Sequence, residues 1–95
     1  MTYKRILTCG TFDLFHIGHV NMLKRAKEMG KFLVVGISSD KCNKEKNKKA
    51  IINEKDRFEI IKSCKYVDEV FIEESLDEKE TYVKKYEIDL FIIGD

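Results

Sequence analysis

Short apolar runs alternate with amphipathic stretches along the whole chain. Lys4 to Cys9 is apolar and β-prone and is stopped by Gly10, which predicts a first strand. After the turn Thr11–Ile17 the period changes. From Gly18 onward His19, Met22, Leu23, Ala26 and Met29 fall on one face of a helix, with Lys24, Arg25, Lys27 and Glu28 on the other. Gly30 is placed to end that helix at its C′ position. Phe32 to Ser38 is apolar almost throughout, the pattern of a central strand covered on both faces. Strand, helix and strand in about 35 residues make a βαβ unit. It leaves Ser38, Ser39 and Asp40 just beyond a strand's C-terminal end.

The second half repeats the alternation. Lys41–Lys49 is the most polar stretch and reads as a loop or a short helix. Asn53 with Asp56 three residues on resembles a capping box, and Phe58, Ile61 and Cys64, with Ile60 at the edge, give the next helix its buried stripe. Glu69–Ile72 is expected as a third strand. Ser75 with Glu78 suggests another capping box, opening a helix that runs to about Tyr86 and buries Leu76, Val83 and Tyr86. Leu90–Ile93 is a fourth strand. The order β-α-β-(α)-α-β-α-β predicts an α/β fold, a Rossmann-like doubly wound parallel sheet in three α/β/α layers. Such a fold normally continues with a helix over its last strand. The single domain, residues 1–95, is therefore expected to be cut short at its C-terminus.

Bulk properties remove several function classes. Ninety-five residues limit the chain to one domain with a modest core. A net charge of +1 gives no bulk attraction to nucleic acid, and no apolar run reaches membrane-spanning length. The N-terminus leads straight into a strand, with no signal-peptide pattern. Cys9, Cys42 and Cys64 are odd in number and widely spaced, so reduced thiols in a cytoplasmic protein are expected, with neither a disulfide frame nor a zinc site.

The stretch from Thr8 to His19, T-C-G-T-F-D-L-F-H-I-G-H, carries the chemistry. It joins a strand to a helix N-terminus, where backbone N–H groups and the helix dipole favour anions. His16 and His19 are three residues apart at the helix start and face the same way, with Gly18 between them to let a ligand approach the backbone. Imidazoles so placed can donate to phosphate oxygens; the plain alternative is one buried and one exposed histidine. A metal pair lacks a suitably spaced third ligand. Thr11 and Phe12 offer backbone N–H groups, although Phe12 also suits a core plug. Asp13 either holds a magnesium ion bridging triphosphate oxygens or caps the turn. Lys44, Lys46, Lys48 and Lys49 follow the second strand, either as a solvated face or as point charges reaching over phosphates. Arg57 sits in a helix's first turn, where a cation is unfavourable; a bound anion or an ion pair with Glu54 would account for it. Lys65 and Lys79 are most simply solvated, Lys79 at the start of a helix on the same rim.

Four segments together resemble a known family. G-T-F-D-L-F-H-I-G-H (10–19) is similar to the nucleotidyltransferase form of the HxGH motif, and K-Y-V-D-E-V (65–70) resembles the R-Y-V-D-E-V segment of cytidylyltransferases. With K-E-K-N-K-K-A (44–50) and F-I-I-G-D (91–95), the likeness runs in order along the chain and points to the glycerol-3-phosphate cytidylyltransferases. The resemblance implies transfer of a cytidylyl group from CTP to sn-glycerol 3-phosphate, giving CDP-glycerol and pyrophosphate with no covalent enzyme intermediate. It implies His16 and His19 on the CTP phosphates, with Gly10, Thr11, Phe12, Asp13, Gly18, Lys48 and Asp95 at the nucleotide. On the acceptor side it implies Lys46, Arg57, Lys65 and Lys79. Magnesium is implied as cofactor, with Asp13 as its ligand, and a homodimer through the Y-V-D-E-V region is implied as the assembly.

The chain departs from the family twice. Lys65 replaces an arginine and lacks its bidentate fork, and the R-T-x-G-I-S-T-[ST] motif that grips the triphosphate lies beyond Asp95 in the family's pattern. Little turnover is therefore expected of the 95 residues alone. The K-M-S-K-S loop of class I aminoacyl-tRNA synthetases, which share the H-I-G-H letters, is absent. Related choline- or ethanolamine-phosphate cytidylyltransferases, adenylyltransferases, and a non-catalytic nucleotide-binding or dimerisation fragment are the competing readings.

Overall fold

The computed structural model describes residues 3–75 and 78–93. Four strands, β1 (Tyr3–Gly10), β2 (Gly30–Ser38), β3 (Glu69–Glu73) and β4 (Leu90–Ile93), form one sheet in the order β3-β2-β1-β4. All neighbours run parallel. Helices α1 (Ile17–Glu28), α2 (Asp40–Glu45), α3 (Glu54–Lys62) and α4 (Lys79–Lys85) lie between them. The Rossmann-like reading of the sequence therefore holds.

Strand alternation divides the core between the two faces. Ile6, Leu33, Val35 and Ile37 point to one side and meet Leu23 and Ala26 of α1 and Ile61 of α3. Leu7, Val34 and Phe71 point to the other and meet Tyr82 of α4. The chain winds outward from β1 through β2 to β3, then returns to the far side of β1 as β4. The topological switch point thus lies beside β1, and the turn after Gly10 leaves the sheet at the rim where such folds place ligands.

Two aspartates set the edge strands in register. Asp68, just before β3, donates its N–H to the Leu33 carbonyl and accepts the Leu33 N–H on Oδ2, at 2.9 and 2.7 Å. Asp89, just before β4, makes the same pair of bonds with Arg5, both at 2.9 Å.

Some sequence expectations need correction. The polar 41–49 stretch contains α2, whose N-cap Ser39 accepts from the Cys42 N–H. Met29 is exposed, because α1 has turned its apolar face away by its last residue. Gly30 is not a left-handed helix stop: it opens β2, and no described glycine has positive φ. Its lack of a side chain serves close packing, since a Cβ there would lie 2.5 Å from Ile6 Cδ1 and 2.9 Å from the Tyr3 carbonyl oxygen. The last helix starts at Lys79 with Glu78 at its N-cap position and no side-chain cap, so the Ser75–Glu78 capping box does not form as read. Tyr82, not singled out from the sequence, is that helix's buried residue; Leu76 lies outside the described residues.

Gly30→Ala is expected to destabilise the fold by about 1–3 kcal/mol, because a fully buried Ile6 and a backbone carbonyl must both give way. Urea denaturation of the variant checks this; an unchanged midpoint would show that the contact relaxes freely.

Candidate active site

The turn after β1 is built on two left-handed residues, Phe12 at φ 52° and Leu14 at φ 50°. Non-glycine residues rarely hold this conformation unless their surroundings impose it. Phe12 is imposed by burial: its ring plugs the α1/α3-side core and meets the His19 ring edge-on, 5.5 Å between centroids. Leu14 is imposed by Asp13. The Asp13 carboxylate accepts the Leu14 and Ile52 N–H groups on Oδ1, at 3.1 and 2.9 Å, and the Ile51 N–H on Oδ2 at 2.8 Å. Those N–H groups of Ile51 and Ile52, first of all, hold its carboxyl below the usual carboxylate range. The capping alternative is therefore the one realised, extended to a second loop.

This commitment bears on magnesium. Both Asp13 oxygens are engaged by backbone donors, and no cluster of three or more potential metal-ligating side chains occurs among the described residues. A ligand role for Asp13 would have to draw on the one acceptor site its Oδ2 keeps beside the Ile51 N–H. Magnesium commonly takes most of its ligands from water and substrate phosphates, which needs no such cage.

His16 and His19 form a reciprocal cap on α1. His16 is the N-cap residue, and its Nδ1 accepts the Gly18 N–H at 3.0 Å. His19 Nδ1 accepts the His16 N–H at 3.2 Å. The pair thus plays the part usually taken by a serine or threonine with a glutamate. With Nδ1 an acceptor on each ring, the hydrogen bonds assign the proton of each neutral imidazole to Nε2. Two N–H donors are left for a ligand at a helix N-terminus. The rings lie 4.0 Å apart between centroids, and His19 stacks on Phe15. Burial, and then the neighbouring His16, push the His19 pKa below the usual histidine value. Gly18 makes room for the cap itself: a Cβ there would lie 2.7 Å from His16 Cε1.

Arg57 is the largest departure from expectation. It is fully buried and does not pair with Glu54. Its Nε donates to the Ile52 carbonyl at 2.8 Å, its Nη1 to the carbonyls of Thr11 and Ser38 at 3.0 and 2.7 Å, and its Nη2 to Asp40 Oδ1 at 2.7 Å. An arginine so enclosed does not present its fork to a substrate phosphate. It braces the turn after β1, the end of β2 and the 51–52 loop.

The lysines separate. Lys46 Nζ donates to Ser38 Oγ at 3.0 Å, at the end of β2, and Lys79 Nζ stands 3.7 Å from Glu73 Oε2, at the end of β3. Lys48 is exposed on a cleft of about 420 Å3 that it shares with Asp40, Asn43, Lys44 and Asn53. Lys65 precedes β3 and so lies at the opposite rim, its ammonium over the Tyr66 ring. Within one chain Lys65 cannot join the others, which corrects its expected place at the acceptor. Asp95 lies outside the described residues. Ser38, already placed at a strand's end by the sequence, is buried here, and sequence reading missed two further buried polar residues: Asn43, whose Oδ1 accepts from Thr11 Oγ1 at 3.1 Å, and Glu73. Only their position marked them, Glu73 at the end of β3 and Asn43 in the helix that follows β2.

Comparison with known proteins matches residues 7–95 to the cytidylyltransferase-like family model. The glycerol-3-phosphate cytidylyltransferase of Bacillus subtilis (strain 168) is 44% identical over 92 residues, covering 97% of this chain and 71% of that protein. The enzyme of the same description from Staphylococcus aureus (strain NCTC 8325 / PS 47) is 42% identical over 91 residues, covering 96% and 69%. Among solved structures, the lipopolysaccharide core biosynthesis protein from Thermoplasma volcanium GSS1 superposes with a TM-score of 0.86 at 29% identity, covering 94% of this chain and 72% of that one.

His19 is expected to titrate below 6.5, followed by imidazole NMR. Its unfolded form takes up a proton that the folded form resists, so stability should fall as pH drops below 6.5 and level off beneath the folded value. In His19→Gln that segment of the pH–stability curve should flatten. Arg57→Met, which strands the Thr11, Ser38 and Ile52 carbonyls, should cost about 3 kcal/mol in chemical denaturation; a cost below about 1 kcal/mol would rule out the bracing role.

Proposed function

The chain belongs to the cytidylyltransferase-like family, and on that premise we propose that it transfers the cytidylyl group of CTP to sn-glycerol 3-phosphate. The acceptor is chosen on the relatives at 42–44% identity, which carry that activity in their names. The observation that carries the chemistry is the histidine cap: two imidazoles whose Nδ1 atoms accept backbone N–H groups, which leaves Nε2 of each ring as its donor.

A phosphate oxygen of the acceptor attacks the α-phosphorus of CTP, a new P–O bond forms in line with the breaking one, and pyrophosphate leaves. That oxygen is already anionic, so no base is needed. This agrees with rings whose basic nitrogens are occupied. Protonating Nδ1 of either histidine would break the cap, so the pair acts as neutral donors. Their N–H groups, with the α1 dipole, stabilise charge on the non-bridging and leaving oxygens as it builds. The remaining contribution is positioning, for which the Asp13 and Arg57 braces supply a rigid frame. Magnesium enters on this reading with the triphosphate, as part of the substrate. Self-association through 66–70 belongs to the same proposal: β3 is an edge strand, beside a cleft lined by Phe58, Val67 and Val70. No helix among the described residues is long and apolar enough to cross a membrane.

Pyrophosphate release with CTP, magnesium and glycerol 3-phosphate tests the reading. Turnover with choline or ethanolamine phosphate instead would move the acceptor, and preference for ATP would move the nucleotide. His16→Asn and His19→Gln keep residue types that can cap α1 while removing the imidazoles. Each should lower kcat by roughly 10^2–10^3-fold with stability changed by about 1 kcal/mol or less. Unchanged turnover in both would sink the donor role.

A further inference from the structure

At the rim where β2 and β3 end lies a buried carboxylate that nothing above uses. Glu73, the last residue of β3, is 1% exposed. Its Oε1 accepts from Ser38 Oγ at 3.4 Å. Its Oε2 accepts no hydrogen bond from the described residues and faces the ammonium of Lys79 at 3.7 Å. Ser38 Oγ also accepts from Lys46 Nζ at 3.0 Å. One carboxylate therefore touches Lys79 directly and Lys46 through a single hydroxyl. The same charges reach Cys9 at the neighbouring strand end, whose thiol is pushed up to about 12, first by burial and then by Glu73.

A carboxylate this deep is costly unless a cation stays beside it. Its two cations come from separate elements, the turn following α2 and the first turn of α4, and both lysines are only partly buried. A 3.7 Å separation is an ion pair without a formed hydrogen bond, so the Lys79 ammonium keeps its donors for something else. Two ammoniums held at one rim by a single buried charge suit a small dianion such as a phosphomonoester.

We propose that Glu73 is a positioning residue for the acceptor phosphate, acting through Lys79 directly and through Lys46 by way of Ser38. Glu73 does not touch the substrate. It holds the two ammoniums at the acceptor side of the rim, and its charge keeps them there when the site is empty. The proposal rests on the acceptor assignment above.

The test separates the two claims. Dissociation constants for glycerol 3-phosphate and for CTP are measured by calorimetry on the wild type, Glu73→Gln, Lys79→Met and the double variant. Glu73→Gln should weaken glycerol 3-phosphate about tenfold and leave CTP within twofold. Adding it to Lys79→Met should weaken the acceptor further, by the part carried through Lys46, but by clearly less than the tenfold seen in the wild-type background. Denaturation midpoints of the same four proteins read the pairing without any ligand: the double variant should lose clearly less than the sum of the singles. Unchanged glycerol 3-phosphate binding in a folded Glu73→Gln protein, or equal weakening of both ligands, would overturn the proposal. So would additive midpoints. If the wild type binds choline or ethanolamine phosphate but not glycerol 3-phosphate, the acceptor assignment fails, and the comparison is repeated with the phosphomonoester that binds.

Discussion

The buried guanidinium of Arg57 is the constraint on which the site depends. It reaches from the first turn of α3 to the carbonyls of Thr11, Ser38 and Ile52, and closes on Asp40. Those groups belong to the turn after β1, the end of β2, the loop before α3 and the start of α2. Strand ends carry carbonyls that the ladder no longer satisfies. A single side chain with donors in a fixed plane satisfies two of them, together with the loop carbonyl of Ile52, and sets the distances between their segments. The Asp13 carboxylate answers, accepting the N–H groups of Ile51 and Ile52. Cation and anion together hold one loop, one through its carbonyl and the other through its N–H groups. The left-handed residues Phe12 and Leu14, unfavourable in isolation, are secured as part of the same frame.

Upon this frame the histidines do two jobs with different nitrogens. Each Nδ1 belongs to the helix, and in the proposed mechanism each Nε2 is the donor offered to a ligand. Backbone hydrogen bonds therefore select the tautomer that can donate. Fixing the rings adds no separate device, because the helix would need a cap in any case. His19 is also wedged between the Phe12 and Phe15 rings, which lowers its tendency to take a proton and keeps it in the donating form. Proposed chemistry and local stability are thus coupled in the same two rings.

Much of this was legible in the sequence and some was not, for identifiable reasons. Strand and helix alternation was plain because parallel strands are continuous apolar runs, and β2 is buried from Leu33 to Ser38. The Asn53 cap was plain because capping is local. The histidine pair was legible as a pair, but its capping role was not, since imidazole is an uncommon cap. For Arg57 the sequence offers only a bound anion or Glu54 as partner, because local neighbours are all it displays; only the tertiary fold shows three carbonyls converging on it. Lys65, most simply solvated from the sequence, was brought to the acceptor only by the family likeness, and the loop between α3 and β3 puts it at the other rim of its own chain. Gly30 looked like a helix stop, a role local conformation would decide, yet the contact with Ile6 and Tyr3 from another strand is what requires it.

The twin aspartates before β3 and β4 have a further consequence. Asp68 and Asp89 grip Leu33 and Arg5 at the rim opposite the histidines. Each edge strand is thereby indexed against its neighbour at the point where it starts, before any residue of the working rim is laid down. A slip of one residue would strand a carboxylate and turn every side chain to the wrong face. Alignment is thus decided at one end of the sheet and used at the other. Residues at the working end are released from specifying register, so substrate preference there can drift by substitution while the strands continue to find the same partners.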